Sequence, residues 1–208
     1  PVTFVATGNA IRYCGADPVF VDIERSTLGM SPDALLNFLD ETSEIRGDGG
    51  CWNRNTGRRI RACLPVNNLG HPARVDEIAK VCELFNVKVI EDAAESLGSI
   101  RNRQHTGLAG QLGILSFNGN KIITTGGGGA ILTNDQELAQ RAKHITTTSK
   151  MPHPWLFLHN EVGFNYRLPN LNAALGCSQI ERLEEFVGAK RALAKAYQDW
   201  KPSMDLEF

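Results

Sequence analysis

The sequence lacks the features of several large classes of protein. No apolar stretch approaches the length of a membrane-spanning helix, and the residues given contain no secretory signal pattern. The net charge of −1 provides no bulk positive charge, which argues against binding to nucleic acid or to a membrane surface. The hydrophobic content of 42% and the charged content of 22% are instead typical of a soluble globular protein.

The sequence also lacks any CxxC pair. Its five cysteines are widely spaced and odd in number, which argues against a zinc site and against a disulfide framework. The histidines show no metal-ligand spacing either, so no metal site is predicted. We expect most of the thiols to be reduced and packed as small core residues, as in a cytoplasmic protein; the five cysteines are Cys14, Cys51, Cys63, Cys82 and Cys177.

Strand-like and helix-like segments alternate along the chain. The periodicity predicts strands at residues 2–6, 18–23, 59–66, 87–90, 113–117 and 129–132. It predicts helices at residues 33–41, 73–85, 134–146 and 170–200, the last with a break near Gly188. Ser31 and Asn134 are the predicted caps of two of these helices. The polar stretch 44–58 reads as an exposed loop or hairpin, and 147–162 as a structured loop. This alternation predicts an α/β protein with a mainly parallel sheet and helices on both faces.

A lysine and an aspartate stand where a parallel sheet places its ligand-binding residues. Asp92 and Ser116 each end a predicted strand, and Lys121 follows Ser116 closely. There, an aspartate can keep a pyridine nitrogen protonated, while a lysine can form an imine with a carbonyl and then carry a proton. Ser116 can donate to a phosphate, and Phe4 can stack on a ring. The set predicts a site for pyridoxal 5'-phosphate (PLP).

Each of these residues also has a purely structural interpretation. Asp92 can cap the following turn, Lys121 can be a solvated surface lysine, and Ser116 can be a satisfied hydroxyl at a strand end. Phe4 can be a core residue. The four glycines at 126–129 can be a hairpin turn, and no GK[ST] follows them as a Walker loop requires.

Several motifs together resemble the DegT/DnrJ/EryC1/StrS family of PLP-dependent sugar aminotransferases. They are Thr3-Phe4-Val5-Ala6-Thr7, Glu91-Asp92-Ala93-Ala94-Glu95-Ser96, Ser116-Phe117-Asn118-Gly119-Asn120-Lys121, Gly127-Gly128-Gly129-Ala130 and Gly163-Phe164-Asn165-Tyr166-Arg167. The resemblance runs from Pro1 to about Leu183. The Asn-Gly-Asn-Lys stretch and the insertion around Cys51-Trp52-Asn53 look most like the branch that acts on nucleotide-linked amino sugars of legionaminic-acid-type pathways.

The resemblance implies a fold-type I aminotransferase that takes an amino group, from glutamate, to a nucleotide-linked keto sugar. Lys121 would bond the cofactor and carry the proton, and Asp92 would pair with its ring nitrogen. Ser116 would bind the phosphate, and Phe4 would stack on the ring. Glu95 would stand near the ring hydroxyl. Asn165 would reach the phosphate held by a neighbouring subunit, so the resemblance also implies a homodimer with a shared active site.

The resemblance also divides the chain into two parts. Residues 1–165 would form the PLP-binding large domain without its amino-terminal part. Residues 166–208 would form a long connecting helix and the start of a small domain. The chain begins at Pro1 without the family's Gly-Thr phosphate loop and ends as a new element starts, so we expect a piece of a longer protein, possessing the lysine without the whole site.

Two residues depart from the family's pattern, and two other functions stay open. Glu95 replaces a common glutamine, and Asn67 stands where many members have histidine. The first alternative function is a PLP-dependent sugar dehydratase, but the dehydratases that the chain resembles have histidine in place of Lys121. The second is a non-catalytic homologue that serves as an assembly partner.

Overall fold

The computed structural model of the chain describes residues 1–200 as a mixture of helices and short strands. The α-helices are α1 Val5–Tyr13, α2 Pro32–Thr42, α3 Val75–Leu84, α4 Gln136–Thr146, α5 Asn170–Ile180 and α6 Leu183–Asp199. The strands are β1 Ser43–Ile45, β2 Cys51–Asn53, β3 Arg59–Ile60, β4 Ala62–Cys63, β5 Lys88–Asp92, β6 Ile100–Arg101, β7 Gln104–His105, β8 Leu112–Ser116 and β9 Gly129–Leu132. A short 3₁₀ turn spans Asn68–Gly70. The predicted new element near the carboxyl terminus lies outside the described residues.

A four-stranded sheet with the order β4-β5-β8-β9 organises the molecule. β4, β5 and β8 run parallel, while β9 pairs antiparallel with β8. The predicted strands at 87–90, 113–117 and 129–132 are therefore confirmed, as is the predominance of parallel pairs between the strands of this sheet. Parallel strands end at the same edge, so the residues that follow β5 and β8 are neighbours in space.

The core lies between the sheet and helices α2 and α3. Leu35 and Leu39 of α2 pack with Ile78 and Cys82 of α3 against Val89 of β5, all of them buried. The side chain of Ser31 accepts a hydrogen bond from Ala34 N, so the predicted cap of α2 is confirmed. The helix predicted at 73–85 is confirmed as α3.

The buried thiols belong to the same core. Cys51, Cys63 and Cys82 are buried, which confirms the prediction that most of the thiols are packed, whereas Cys14 and Cys177 are exposed. The Cys63 thiol donates a hydrogen bond to Cys82, which together with burial raises the pKa of Cys63 well above its usual value. Cys63 therefore serves packing rather than nucleophilic chemistry.

The polar stretch after α2 folds into a small antiparallel sheet with the order β1-β2-β3. The hairpin interpretation of residues 44–58 is thus confirmed. Asp48 closes the first turn by accepting hydrogen bonds from Gly50 N and Trp52 Nε1. The single strand predicted at 59–66 is divided, since β3 joins this small sheet and β4 joins the central one.

The amino-terminal segment differs from its prediction. The strand predicted at residues 2–6 is wrong, because α1 begins at Val5 and Phe4 occupies its cap position with extended backbone angles. β-branched residues favour a strand only where a neighbouring strand is available to pair with, and here the structure pairs none with this segment of the described chain. Residues 18–23, also predicted as a strand, form only an isolated bridge between Ile23 and Met30.

Two helix boundaries also differ from their predictions. Asp135 rather than Asn134 caps α4, since its carboxylate accepts hydrogen bonds from Glu137 N and Leu138 N. The long carboxy-terminal tract is broken between α5 and α6 at residues 181–182, and Gly188 lies inside α6. A glycine costs only about 1 kcal/mol in a helix, which the rest of a long helix can offset.

Candidate active site

The carboxyl end of β5 presents a buried carboxylate. Asp92 is the last residue of β5, and its side chain accepts hydrogen bonds from Ala94 N at 3.1 Å and from Thr7 Oγ1 at 2.8 Å. Its backbone is fixed as well, because Asp92 N donates to Pro65 O and Asn67 N donates to Asp92 O. Asp92 does cap the turn after β5, as its structural interpretation predicted, but only one of its oxygens is engaged there. The other is held by helix α1.

A second buried carboxylate supports this strand end from the other face. Glu91 accepts hydrogen bonds from Asn67 Nδ2 at 2.8 Å and from Ala109 N at 3.0 Å. Asn67 is fully buried and also accepts a hydrogen bond from Ala73 N at 2.8 Å. Asn67 therefore ties the loop after β4 both to β5 and to the approach to α3, a role that its amide can fill because it donates and accepts at once.

Lys121 lies in the loop that joins β8 to β9. The loop closes on itself, because Phe117 N donates to Gly128 O and Thr125 N donates to Phe117 O. Gly126 and Gly128 have φ angles of +80° and +91°, which glycine adopts without strain. The glycine run is thus not a tight hairpin turn. It ends a compact loop that contains the lysine and leads into β9.

Helix α5 anchors the same loop. Asn172 Nδ2 donates to Thr125 O, and Gln179 Oε1 accepts from Thr124 N at 3.1 Å. Both contacts join residues that are remote in sequence, so no local pattern could have predicted them. The position of Lys121 therefore depends on α5 as well as on the sheet.

The amine of Lys121 is directed to the end of β5. Its Nζ atom lies 3.2 Å from Glu95 Oε1, and only 14% of the lysine side chain is exposed. The other carboxylate oxygen of Glu95 accepts a hydrogen bond from Leu69 N at 2.8 Å. Lys121 is thus not the solvated surface lysine of its structural interpretation. Glu95 accepts a hydrogen bond from the amine and so fixes its direction.

Ser116 ends β8, the strand next to β5 in the sheet. Its hydroxyl oxygen accepts a hydrogen bond from Asn118 N at 3.3 Å, which leaves the hydroxyl proton able to donate to a ligand. Because β5 and β8 are parallel, Asp92 and Ser116 stand at the same edge of the sheet. Asp92, Glu95, Ser116 and Lys121 are therefore gathered at one edge, as the sequence predicted for the carboxyl ends of strands.

Phe4 and Asn165 occupy other positions. Phe4 is 72% exposed, so it is not a core residue. Its carbonyl accepts a hydrogen bond from Thr7 N, and the hydroxyl of the same Thr7 contacts Asp92. Asn165 is exposed and pairs with Thr147 in an isolated bridge. Within residues 1–200, no hydrogen bond joins Asn165 to the four residues at the sheet edge.

Sequence reasoning missed Thr7 as a functional residue. Thr7 was noticed only as part of a motif, yet its hydroxyl fixes one oxygen of Asp92 from a helix far away in sequence. Asn67 was noticed only as a departure from a pattern, although it supports the same strand end. A single hydroxyl or amide gives no periodic signal in the sequence, because its partner is decided by tertiary contacts.

The residues at the sheet edge fit PLP. Asp92 offers a fixed carboxylate to a pyridine nitrogen, Lys121 offers an amine to an aldehyde carbon, and Ser116 offers a hydroxyl to a phosphate.

No group of three or more potential metal ligands occurs among the described residues, and none of their helices is long and apolar enough to cross a membrane.

Comparison with known proteins supports the same assignment. The profile of the DegT/DnrJ/EryC1/StrS aminotransferase family matches residues 1–201. The chain belongs to this family. Among solved members and relatives, the aminotransferase TlmJ from Streptoalloteichus hindustanus superposes with a TM-score of 0.83 at 29% identity, covering 98% of this chain and 51% of TlmJ. PseC of Helicobacter pylori, an aminotransferase involved in the biosynthesis of pseudoaminic acid, gives 0.76 at 26% identity, covering 88% of this chain and 45% of PseC.

Relatives with curated names agree with this family. EpsN of Bacillus subtilis (strain 168), which its name assigns provisionally to the pyridoxal phosphate-dependent aminotransferases, is 41% identical over 95% of this chain and 48% of its own length. The GDP-perosamine synthase of Escherichia coli O157:H7 is 34% identical over 95% of this chain and 49% of its own length. The chain spans about half the length of the curated relatives it matches.

Proposed function

We propose that this chain is the PLP-binding part of an aminotransferase that moves an amino group from glutamate to a nucleotide-linked keto sugar. The observation that carries the proposal is the Lys121 amine, held 3.2 Å from Glu95 at the sheet edge that also presents Asp92. Two of the proteins named above are, by their names, a GDP-perosamine synthase and an aminotransferase of pseudoaminic acid biosynthesis, which supports an amino-sugar product. The narrower placement in the legionaminic-acid-type branch rests on the motifs around Cys51 and Asn118 and stays a prediction.

Each residue at the sheet edge has a definite task in this proposal. The cofactor, when bound, supplies an electron sink for the carbon that gains or loses the amino group. Asp92 accepts a hydrogen bond from the ring nitrogen and is held in place by Thr7. Lys121 would hold the cofactor covalently and, once a substrate amine has displaced it, its free amine would carry the proton, with Glu95 as its hydrogen-bond partner. Ser116 would donate to the phosphate, and the exposed ring of Phe4 would stack on the ring of the cofactor.

The domain arrangement is part of the proposal. Residues 1–165 would form the large domain of a fold-type I transferase, which agrees with the mixed sheet around β5 and β8. Residues 166–208 would begin the connection to a small domain, and α5 and α6 lie in this part.

An amination assay tests the proposed reaction. The full-length protein with PLP and glutamate is incubated with UDP-, GDP- and TDP-linked keto sugars, and the products are identified by mass spectrometry. We expect an amino sugar and 2-oxoglutarate in equal amounts with at least one nucleotide. Loss of a sugar hydroxyl without amination would favour the dehydratase alternative, although Lys121 argues against it. No conversion of any substrate would contradict the proposal and favour a non-catalytic homologue.

A shared active site in a homodimer is also proposed, because Asn165 stands apart from Lys121 on this chain yet matches a phosphate-binding position of the family. Co-expression of an Asn165→Ala chain with a Lys121→Ala chain tests it. Each hybrid dimer would contain one intact site of two, so the mixture should regain about one quarter of the wild-type activity if subunits pair at random. Hybrids verified by their tags that show no recovery would contradict a shared site.

A further inference from the structure

In the part of the chain that the structure describes, helix α1 is joined to the central sheet by a single hydrogen bond. The hydroxyl of Thr7 donates to Asp92 Oδ2 at 2.8 Å, and the two residues are 85 positions apart in the sequence. No residue of α1 is buried, so the helix contributes no side chain to the core. The bond therefore ties α1 to the functional group at the end of β5 rather than to the core.

The hydroxyl of Thr7 belongs to a short chain of hydroxyl groups that ends at Asp92. Thr3 Oγ1 lies 3.0 Å from Thr7 Oγ1, and its contact with Phe4 O is longer, at 3.4 Å. An ionised carboxylate only accepts hydrogen bonds, so the one hydroxyl proton of Thr7 is directed to Asp92. The oxygen of Thr7 is then left to accept, which makes Thr3 the donor between the two threonines. Both hydroxyl protons therefore point along the chain toward the carboxylate.

Asp92 is consequently held at both of its carboxylate oxygens. Oδ1 accepts a hydrogen bond from Ala94 N at 3.1 Å, and Oδ2 accepts the one from Thr7. The terminal torsion of an aspartate has a broad energy minimum, so a separate donor on each oxygen is needed to fix the plane of the carboxylate. A carboxylate has about four acceptor positions, so positions remain open to a ligand when these two are filled.

The same turn of the chain presents Phe4. Thr7 N donates to Phe4 O at 3.2 Å, and Phe4 is the cap residue of α1. This bond uses the backbone of Thr7, whereas the bond to Asp92 uses its side chain. A substitution that removes only the hydroxyl therefore separates the two contacts, because it leaves the backbone bond to Phe4 unchanged.

We propose that Thr7 is a positioning residue for Asp92, and that its hydroxyl, supported by Thr3, fixes the carboxylate for the ring nitrogen of PLP. This inference rests on the proposed function and adds a residue that acts through Asp92. The role requires a hydroxyl donor at position 7, because valine has the shape of threonine but no proton to donate. It also requires a nitrogen in the ring of the ligand, because Asp92 is the residue through which Thr7 acts.

Equilibrium dialysis of the full-length protein tests the proposal with two probes, PLP and its deaza analogue, in which a carbon atom replaces the ring nitrogen. We expect Thr7→Val to weaken the binding of PLP about tenfold, as the loss of a hydrogen bond to a charged group does. The affinity for the deaza analogue should change less than about twofold. Thr7→Ser keeps the donor and should retain most of the affinity for PLP. Thr3→Val, one hydroxyl further from Asp92, should weaken it by only about threefold.

The matched control is Thr42→Val on α2. Thr42 is half-buried, as Thr7 is, but its hydroxyl donates to Phe38 O at 2.6 Å within its own helix. The proposal would be overturned by an equal loss of PLP affinity in Thr42→Val, by an unchanged affinity in Thr7→Val, or by equal losses for PLP and its deaza analogue. Thermal unfolding verifies that each variant is folded.

A double variant and a separate labelling experiment complete the test. When Asp92→Asn is already present, Thr7→Val should weaken PLP binding little further, and fully additive losses would contradict action through Asp92. Attachment of PLP at Lys121 is measured by borohydride reduction of the wild-type protein. Absence of attachment there would contradict the proposed function itself, whereas attachment together with an unchanged affinity in Thr7→Val would contradict only the positioning role of Thr7.

Discussion

Substitution of Lys121 by alanine is expected to abolish covalent attachment of PLP. The amine of Lys121 is held beside Glu95 at the edge of the sheet where Asp92 stands, and alanine has no nucleophile to replace it. The wild-type full-length protein, reduced with borohydride in the presence of PLP, should carry label on the peptide that contains Lys121. Its visible absorption band should disappear in the variant. Activity in the amination assay should be lost completely.

Lys88→Ala is the matched control for this experiment. Lys88 is the first residue of β5, at the opposite end of the strand from Asp92, and is exposed. The Lys88→Ala protein should therefore keep both the label and the visible absorption band. Label that persists on the Lys121→Ala protein, or that disappears equally in the Lys88→Ala protein, would contradict the assignment of Lys121.

Asp92→Asn is expected to lower kcat by about 100- to 1000-fold, the range seen when one preorganised electrostatic partner is removed from an active site. The amide has the shape of the carboxylate and can still accept from Ala94 N, so the fold should persist. It cannot, however, hold a positive charge on a pyridine nitrogen. Steady-state kinetics of the full-length protein measure the effect, and thermal unfolding verifies that the variant is folded.

The control for the Asp92 variant is Asp76→Asn. It removes a carboxylate of α3 that forms an ion pair with Arg101. This change should leave kcat unaltered, because Asp76 lies on helix α3 rather than at the end of β5. A rate for Asp92→Asn that matches the wild type would exclude Asp92 as the partner of the ring nitrogen. So would an equal loss of rate in both variants.

The sequence predicted the parts of the fold that depend on local pattern. Helices α2 and α3 have regular apolar stripes, and α2 begins with a proline after a serine cap, so both were found close to their true bounds. β5 and β8 are apolar runs bounded by polar residues, a pattern that is typical of buried parallel strands. Asp92, Ser116 and Lys121 were found because they follow those strands directly.

The rest depends on contacts that the local sequence does not encode. Residues 2–6 include strand-forming side chains, but within residues 1–200 no strand pairs with them, and helix α1 begins at Val5. The hydrogen bond from Thr7 to Asp92 joins two elements that are distant in sequence. The same holds for Asn67, whose side chain contacts both Glu91 and Ala73. The partners of such side chains are determined by the packing of the whole molecule.

The attachment of α5 to the lysine loop has a consequence for how the site is maintained. Asn172 and Gln179 hold Thr125 and Thr124, yet no residue of α5 is buried, and Leu171 is 87% exposed. A helix with so little apolar contact opens at low free-energy cost, and the loop that it anchors loosens with it. Contacts that covered the apolar side chains of α5 would therefore lengthen the time for which the Lys121 amine stays beside Glu95.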